Sequence, residues 1–177
     1  MKKERLEFIP SEDGNVLEIH PIHDEKKHKL MFLWLIAFTI GGLAIISQLF
    51  TNTDSDLKIM LIVFAFFWAY FGFKVFSAYR WRKYGKEKLI FGENKLYYGR
   101  LVNNRGVMYP YNKDLLGKLK KVEISEKNFF AAMGNSYWTI GNEKLAFSYA
   151  GKQIPFALDL DKSETNLIIK RTQAYFQ

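Results

Sequence analysis

The chain has 177 residues, 49% of them hydrophobic, no cysteine and a formal net charge of +8. The absence of cysteine excludes disulfides, a thiolate nucleophile and a cysteine metal site, and it fits a reducing compartment. The charge is uneven: residues 80–177 hold 18 Lys and Arg against nine Asp and Glu, whereas residues 1–29 hold six against seven. The basic excess therefore belongs to the C-terminal part, which is long enough to bury its own core.

Residues 1–29 form a charged N-terminal segment with two short runs of alternating apolar residues. The turn-forming cluster SEDGN separates these runs, and its Gly and Asn tolerate a positive φ. We predict a small β-hairpin here and place the segment in the cytoplasm.

The three histidines are the chain's only candidate nitrogen ligands for a metal. His20 and His23 flank Pro21, and His28 follows a few residues later. A surface metal site is conceivable, but the spacing fixes no fourth ligand, and we favour ordinary solvated side chains. No metal or other cofactor is expected.

Two long apolar segments organise the chain. Residues 30–50 carry no charge, and residues 59–79 carry one, Lys74. A membrane-spanning helix needs about 20 mostly apolar residues, so both segments suffice and predict an antiparallel transmembrane hairpin over residues 30–79. The first run is too long for the apolar core of a signal peptide. The remaining alternative is a buried core hairpin of a soluble protein.

The flanking charges predict the orientation of this hairpin. Basic residues near membrane spans stay on the cytoplasmic side. Lys26, Lys27 and Lys29 precede the first segment, and a basic run follows the second, whereas the connecting loop holds Asp54 and Asp56. Both termini should therefore be cytoplasmic. Within the first helix, Gly41 and Gly42 allow the neighbouring helix backbone to approach closely.

Residues 80–177 form the predicted cytoplasmic domain, and beyond Lys88 their sequence changes to short β-type runs separated by turn residues. The runs are KLIFG, KLYYGRLV, GVMYPY, LKKVEIS, NFFAAM, SYWTIG, KLAFSYAG and QIPFAL. Asp161 followed by Glu164 is a capping box, which predicts a final helix over residues 162–176. The predicted fold class is α+β: a two-helix hairpin, then a small antiparallel β-domain that the C-terminal helix covers.

The stretches LIFGENKLYYGR, LKKVEISEKNFF and LAFSYAGKQIPFAL, placed between the hairpin and the last helix, carry a family likeness. In this arrangement the chain resembles bacterial membrane-anchored PH-like proteins, including those with YcxB-like domains. The resemblance covers residues 26–177 and implies a bacterial inner-membrane protein with a cytoplasmic PH-like domain. That fold serves many functions, so the resemblance favours a membrane-side binding module without naming its ligand.

Two basic clusters are candidates for contact with anionic lipid headgroups. The first follows the second helix, and the second lies before or within a strand. In chain order the candidates are Arg80, Trp81, Arg82, Lys83, Tyr84, Lys86, Lys118, Lys120 and Lys121. The alternatives are a topological anchor for the first cluster and a solvated sheet face for the second.

No catalytic signature or phosphate-binding loop occurs in the sequence. We therefore expect a non-enzymatic membrane protein whose basic domain binds a partner protein or anionic headgroups. The alternative is an accessory subunit of a larger membrane complex, whose hairpin packs on partner helices or on a second copy. A lipid enzyme would need a buried cluster of convergent polar groups. Nucleic acid is not an expected partner, because the membrane tether makes lipid the nearer anion.

Overall fold

The computed structural model describes residues 5–11, 14–51, 54–122 and 136–176. The fold is α+β, with two long apolar helices followed by antiparallel strands and a C-terminal helix. This confirms the predicted fold class at that level.

The two long helices begin at acidic caps and are joined by a short connection. Helix α1 spans Glu25–Thr51, and helix α2 spans Ser55–Tyr84. The carboxylate of Asp54 caps α2 by accepting a hydrogen bond from the Asp56 N–H at 3.0 Å. The second segment was predicted to end at residue 79, but α2 continues to Tyr84, because no Gly or Pro occurs between residue 79 and Gly85.

The helices pack closely at one glycine. A Cβ atom at Gly42 would lie 2.0 Å from Nε1 of Trp68, so only glycine leaves room for this indole. Trp68 Nε1 donates a hydrogen bond to the Phe38 carbonyl at 3.1 Å, which holds the ring in the gap. Gly41 faces open space instead. The predicted close approach is therefore confirmed at Gly42 and not at Gly41.

Most of the hairpin surface is uncovered. Only 11% of the most apolar stretch of α1 and 6% of that of α2 is buried, and large apolar side chains such as Phe50 and Phe66 are exposed. Both helices are long and apolar enough to span a membrane. Core helices of a soluble protein are mostly buried, and these two are not.

The strands form two antiparallel sheets. The first has the order β1-β2-β3-β4-β5 and the second the order β6-β7-β8. Their bounds are β1 Leu6–Ser11, β2 Gly14–Ile19, β3 Gly85–Phe91, β4 Lys95–Val102, β5 Tyr109–Asn112, β6 Leu116–Lys121, β7 Glu143–Tyr149 and β8 Lys152–Leu158. A 3₁₀ turn, η1 (Lys113–Leu115), links the two sheets.

The N-terminal hairpin belongs to the first sheet. Strand β2 precedes the two long helices in the chain and pairs with β3, which follows them. Leu17 lies opposite Leu89, and Ile19 lies opposite Glu87. Leu17 and Ile19 are buried in the core. The structure thus differs from the division at residue 29 that the sequence suggested, because residues before and after the helices build one sheet.

Most predicted strands are present, and one is wrong. KLYYGRLV matches β4 residue for residue, whereas SYWTIG (136–141) forms turns. NFFAAM (128–133) lies outside the described residues. The C-terminal helix α3 spans Lys162–Thr172 and continues as a 3₁₀ turn, η2, over Gln173–Phe176. Its capping box is confirmed: Asp161 accepts from the Glu164 N–H at 2.8 Å, and Glu164 accepts from the Asp161 N–H at 3.0 Å.

The core lies between the two sheets and under the C-terminal helix. Helix α3 and η2 cover one side of the strands and add Ile168 and Phe176 to the core. The fully buried side chains of the strands include Leu17, Leu89, Leu96, Leu145, Phe147 and Phe156. This packing holds the β-domain together at the end of α2.

Candidate functional site at the helix–sheet junction

The basic run at residues 80–86 passes from α2 into β3 without a loop. Gly85, the first residue of β3, lies against Trp81, where a Cβ atom would approach the indole ring to 2.5 Å. Any other residue would push strand and helix apart. The last turn of α2 is therefore fixed against the domain.

Arg82 forms the main polar contact of this junction. Its side chain is only 3% exposed and makes an ion pair with Asp159. Its Nε donates to the Tyr137 carbonyl at 3.2 Å, and its Nη2 donates to the Thr139 carbonyl at 3.1 Å. The guanidinium also lies 4.9 Å from the centre of the Tyr137 ring. One arginine thus joins α2 to the turn at residues 136–141 and to the end of β8.

The backbone before α3 positions the carboxylate of this pair. Asp159 has φ 54°, a left-handed conformation that Asp adopts more readily than most residues. Its second oxygen accepts a hydrogen bond from Asn142 Nδ2 at 3.3 Å. The turn at residues 136–141 also contacts α1, since the Trp138 ring meets Trp34 edge to face at 5.6 Å.

Three predicted headgroup candidates are used inside the protein. Trp81 and Arg82 are buried, and Lys86 donates to both oxygens of Glu18, at 2.9 and 2.8 Å. Trp81 and Arg82 follow Ala78 at helical spacing, and all three lie on the face of α2 that meets the sheet. Treating every cation of this run as membrane-facing is thus incorrect, because helical periodicity divides the run between two faces.

The remaining junction candidates are exposed. Arg80 lies 5.9 Å from the Phe76 ring, and Lys83 lies 5.1 Å from the Tyr84 ring. Arg80, Lys83 and Tyr84 therefore form the exposed part of the junction, called the junction patch below. Cations held over rings at the end of an apolar helix suit the polar boundary of a bilayer.

The second predicted cluster lies on the other sheet. Lys118, Lys120 and Lys121 are exposed on β6, and Lys121 donates to Oδ1 of Asn166 on α3 at 2.8 Å. The structure assigns them to a different strand and sheet from the junction patch. Alternation along β6 places the adjacent Lys120 and Lys121 on opposite faces of the strand, so the three lysines do not share one face.

Glu18 shows how the junction charges act on one another. Burial alone raises its pKa, but the hydrogen bond and charge of Lys86 outweigh burial, and Lys88 at 3.5 Å adds to the effect. The net result is a lowered pKa. The carboxylate stays charged and links β2 to β3.

A buried ionic cluster between the two sheets was missed by the sequence reasoning. Glu87 is fully buried and accepts hydrogen bonds from the Tyr98 hydroxyl at 2.7 Å, Arg100 Nε at 3.2 Å and the Leu158 N–H at 2.9 Å. Arg100 also donates to Glu143 at 2.9 Å. Strand alternation could have revealed the burial of Glu87, because Glu87 and the core residue Leu89 lie on the same face of β3.

Burial raises the pKa of Glu87, against the opposing effects of Arg100 and of the Leu158 N–H. Burial also raises the pKa of Tyr98, with the Glu87 charge adding to it. A cavity of about 430 Å³ opens beside this cluster and is lined by Arg100, Tyr109 and Glu143. The cluster's polar groups bond one another, so the arrangement ties β3 and β4 to β8.

The three histidines do not share one site: His23 and His28 are neighbours, and His20 lies elsewhere. His28 stacks on Tyr79 at 4.0 Å, and His23 lies 5.0 Å from His28. His20 lies apart, where its Nε2 is 3.5 Å from Glu7.

Among the described residues, ligand atoms of Glu7, Glu18 and His20 come within 4.8 Å of one another. Lys86 and Lys88 already bind Glu18, and their positive charges oppose a metal cation there. The group therefore makes a poor metal site. Compared with known proteins, the chain matches no protein family, no curated protein and no solved structure.

Proposed function

We propose that this chain is a non-enzymatic, two-pass membrane protein that holds a basic β-domain against the membrane surface. There the domain binds anionic lipid headgroups or a partner protein. The observation that carries the proposal is the uncovered apolar hairpin, whose second helix runs directly into the sheet. The earlier resemblance to bacterial PH-like proteins fits this proposal and adds a bacterial inner membrane as the location.

The dimensions of the hairpin support insertion. Helix α1 has 27 residues, and at about 1.5 Å per residue it is roughly 40 Å long, which exceeds a hydrocarbon core of about 30 Å. The exposed cations Lys26, Lys27 and Lys29 lie at the same end of the hairpin as Arg80 and Lys83. By the positive-inside rule, that end and both termini are cytoplasmic.

The junction supports a fixed placement of the domain. Arg82 and its partners connect α2 to the sheet, and Tyr137 donates its hydroxyl hydrogen to the Asp24 carbonyl at 3.3 Å, near the start of α1. Both helices are thus held by the same turn. The junction patch is therefore kept at headgroup depth, where its cations are attracted to an anionic leaflet.

Single cysteines test the anchoring directly, because the native chain has none. Ser55→Cys and Lys120→Cys are each labelled with a membrane-impermeant maleimide, in intact cells and in inverted vesicles. We expect Cys at 55 to react only from outside and Cys at 120 only from the cytoplasmic side. Alkaline carbonate should leave the chain in the membrane pellet. Reaction of both sites from one side, or release by carbonate, contradicts the proposal.

Lipid binding is tested by native mass spectrometry after mild delipidation in detergent. We expect Arg80→Gln/Lys83→Gln to lose bound phosphatidylglycerol, whereas Lys118→Gln/Lys120→Gln, with the same change of charge, retains it. Equal retention by both variants contradicts a role for the junction patch.

One observation favours the alternative role of an accessory subunit. A groove of about 570 Å³ runs along the hairpin and is lined by aromatic side chains of both helices, including Phe38, Trp68 and Phe73. A partner helix or a second copy fits such a groove. A stoichiometric complex in the same mass spectra favours this role, and a single chain with bound lipid favours the first.

A further inference from the structure

A groove lies at the end of the β-domain opposite the hairpin. Its walls are the edge strand β1 and the end of α3 with η2, and its volume is about 510 Å³. A second cleft of about 980 Å³ adjoins it, and the two share Phe91, Lys113 and Tyr175. We call the two together the distal groove.

Two cations in the distal groove are held by rings. The Arg171 guanidinium lies 4.5 Å from the centre of the Phe8 ring, and Lys113 Nζ lies 4.8 Å from the centre of the Tyr175 ring. In the described part of the chain, neither makes an ion pair with a carboxylate. Lys95 also lines the groove, and Glu93 is the carboxylate among its described lining residues.

These cations differ from the basic residues that stabilise the fold. Arg5, Arg82 and Arg100 each pair with a carboxylate inside the domain. Among the residues that the structure describes, no carboxylate pairs with Arg171 or Lys113, and ring contacts limit the movement of both side chains. A cation positioned in this way is prepared to bind an incoming carboxylate.

The position of the groove indicates that the anion does not come from the membrane in which the chain is anchored. Strand β3 leaves α2 at Gly85 and reaches Phe91 after seven residues, which is roughly 20 Å at about 3.3 Å per residue. That distance exceeds the Debye length of about 8 Å at physiological salt. The inference rests on the proposed function, in which the Gly85 end faces the bilayer, so headgroups of that membrane do not reach the distal groove.

The part of the distal groove between β1 and the end of α3 has an apolar wall. Phe8, Ile9, Pro10, Val16 and Ala174 line it, and Ile9 is 43% exposed. An apolar wall beside cations that have no carboxylate partner in the described ranges suits a peptide that combines acidic residues with a large apolar side chain. It suits a nucleic acid less well, because three cations neutralise few phosphates.

We propose that the distal groove binds an acidic peptide segment of a soluble partner, with carboxylates on Arg171 and Lys113 and an apolar side chain against β1. The partner of the membrane-anchored domain is then a soluble protein with an exposed acidic segment. Most of the affinity would come from a short anchor and two charge-assisted contacts.

The test uses the full chain in phosphatidylcholine nanodiscs, which offer no anionic lipid. Fluorescence anisotropy measures binding of a labelled decapeptide with four glutamates around a central Leu-Phe pair. The controls are the same peptide with glutamine in place of glutamate, and a single-stranded oligo(dT). Lys113→Gln/Arg171→Gln is the test variant, and Lys118→Gln/Lys120→Gln is the variant with matched charge.

We expect the acidic peptide to bind the native chain, more weakly at higher salt, and the test variant to bind it about fivefold more weakly. The matched variant should bind as the native chain does. Equal binding of both peptides, equal loss in both variants, or binding of oligo(dT) alone overturns the inference. A chain that stays in the carbonate pellet but ignores the peptide refutes this inference alone, whereas release by carbonate refutes the membrane anchoring.

Discussion

Replacing Arg82 by glutamine tests whether this residue holds the domain or faces lipid. The change leaves the Asp159 carboxylate, whose side chain is 10% exposed, without its cation. It also removes donors from the carbonyls of Tyr137 and Thr139. Arg80 provides the matched control, since it carries the same charge on the same helix but is exposed.

The expected loss follows from the burial of the pair. Breaking a buried ion pair by removing one partner costs about 3–5 kcal/mol, and the neutral glutamine side chain does not replace the lost charge. We therefore expect Arg82→Gln to lower the free energy of unfolding by about 3 kcal/mol. For a chain of this size, that corresponds to a fall in Tm of roughly 6–12 °C. Arg80→Gln should change stability by less than about 0.5 kcal/mol.

Thermal unfolding in detergent, followed by tryptophan fluorescence, measures both variants. Hydrogen exchange should in addition become faster at residues 136–142 in Arg82→Gln alone. In the double variant with Asp159→Asn, part of the loss should return, because the uncompensated carboxylate is gone. Equal effects of Arg82→Gln and Arg80→Gln would refute the structural role of Arg82.

Three further changes probe the packing and the buried charges. Gly42→Ala should lower stability by about 1–3 kcal/mol through overpacking, while Gly41→Ala, which meets open space, should not; similar melting temperatures would speak against the helix packing. Glu18, with its lowered pKa, contributes stability that is present above about pH 4.5 and lost as pH falls through its folded pKa. Glu18→Gln should therefore flatten the acid side of a stability profile, and an unchanged slope would contradict this. Glu87, with its raised pKa, behaves oppositely, so its contribution is full below about pH 4.5 and declines as pH rises. Glu87→Gln should cost about 1–3 kcal/mol and cost more at pH 4 than at pH 7, and the reverse order would refute the assignment.

Local patterns in the sequence were enough for the elements that local physics determines. Long apolar runs gave the two helices, the KLYYGRLV run gave β4, and the capping box at Asp161 gave the start of α3. Each of these signals lies within a few residues of the structure it specifies. The wrong strand at residues 136–141 has a tertiary cause, since Arg82 holds that segment as a turn through its carbonyls.

Local sequence patterns could not predict which strands pair across the helical hairpin. Strands β2 and β3 meet although both long helices separate them in the chain, and nothing in the N-terminal segment specifies β3 as its partner. The division of the basic run into a buried and an exposed face could have been predicted in part from the sequence. Helical periodicity from Ala78 already places Arg82 on the sheet-facing side of α2 and Arg80 on another, but the acidic partner Asp159 is distant in sequence.

Three groups of charges in the described part of the domain have separate consequences. Arg82, Lys86 and Arg100 are paired with carboxylates and stabilise the fold. The junction patch lies at the end of α2, while the distal groove lies beyond the far end of β3. Because about 20 Å of sheet separates the two surfaces, the interactions between them are screened at physiological salt. Neutralising the junction patch should then reduce lipid retention without changing affinity for the acidic peptide, and neutralising the distal groove should do the reverse. A change that moved both properties together would mean that one surface, rather than two, serves the domain.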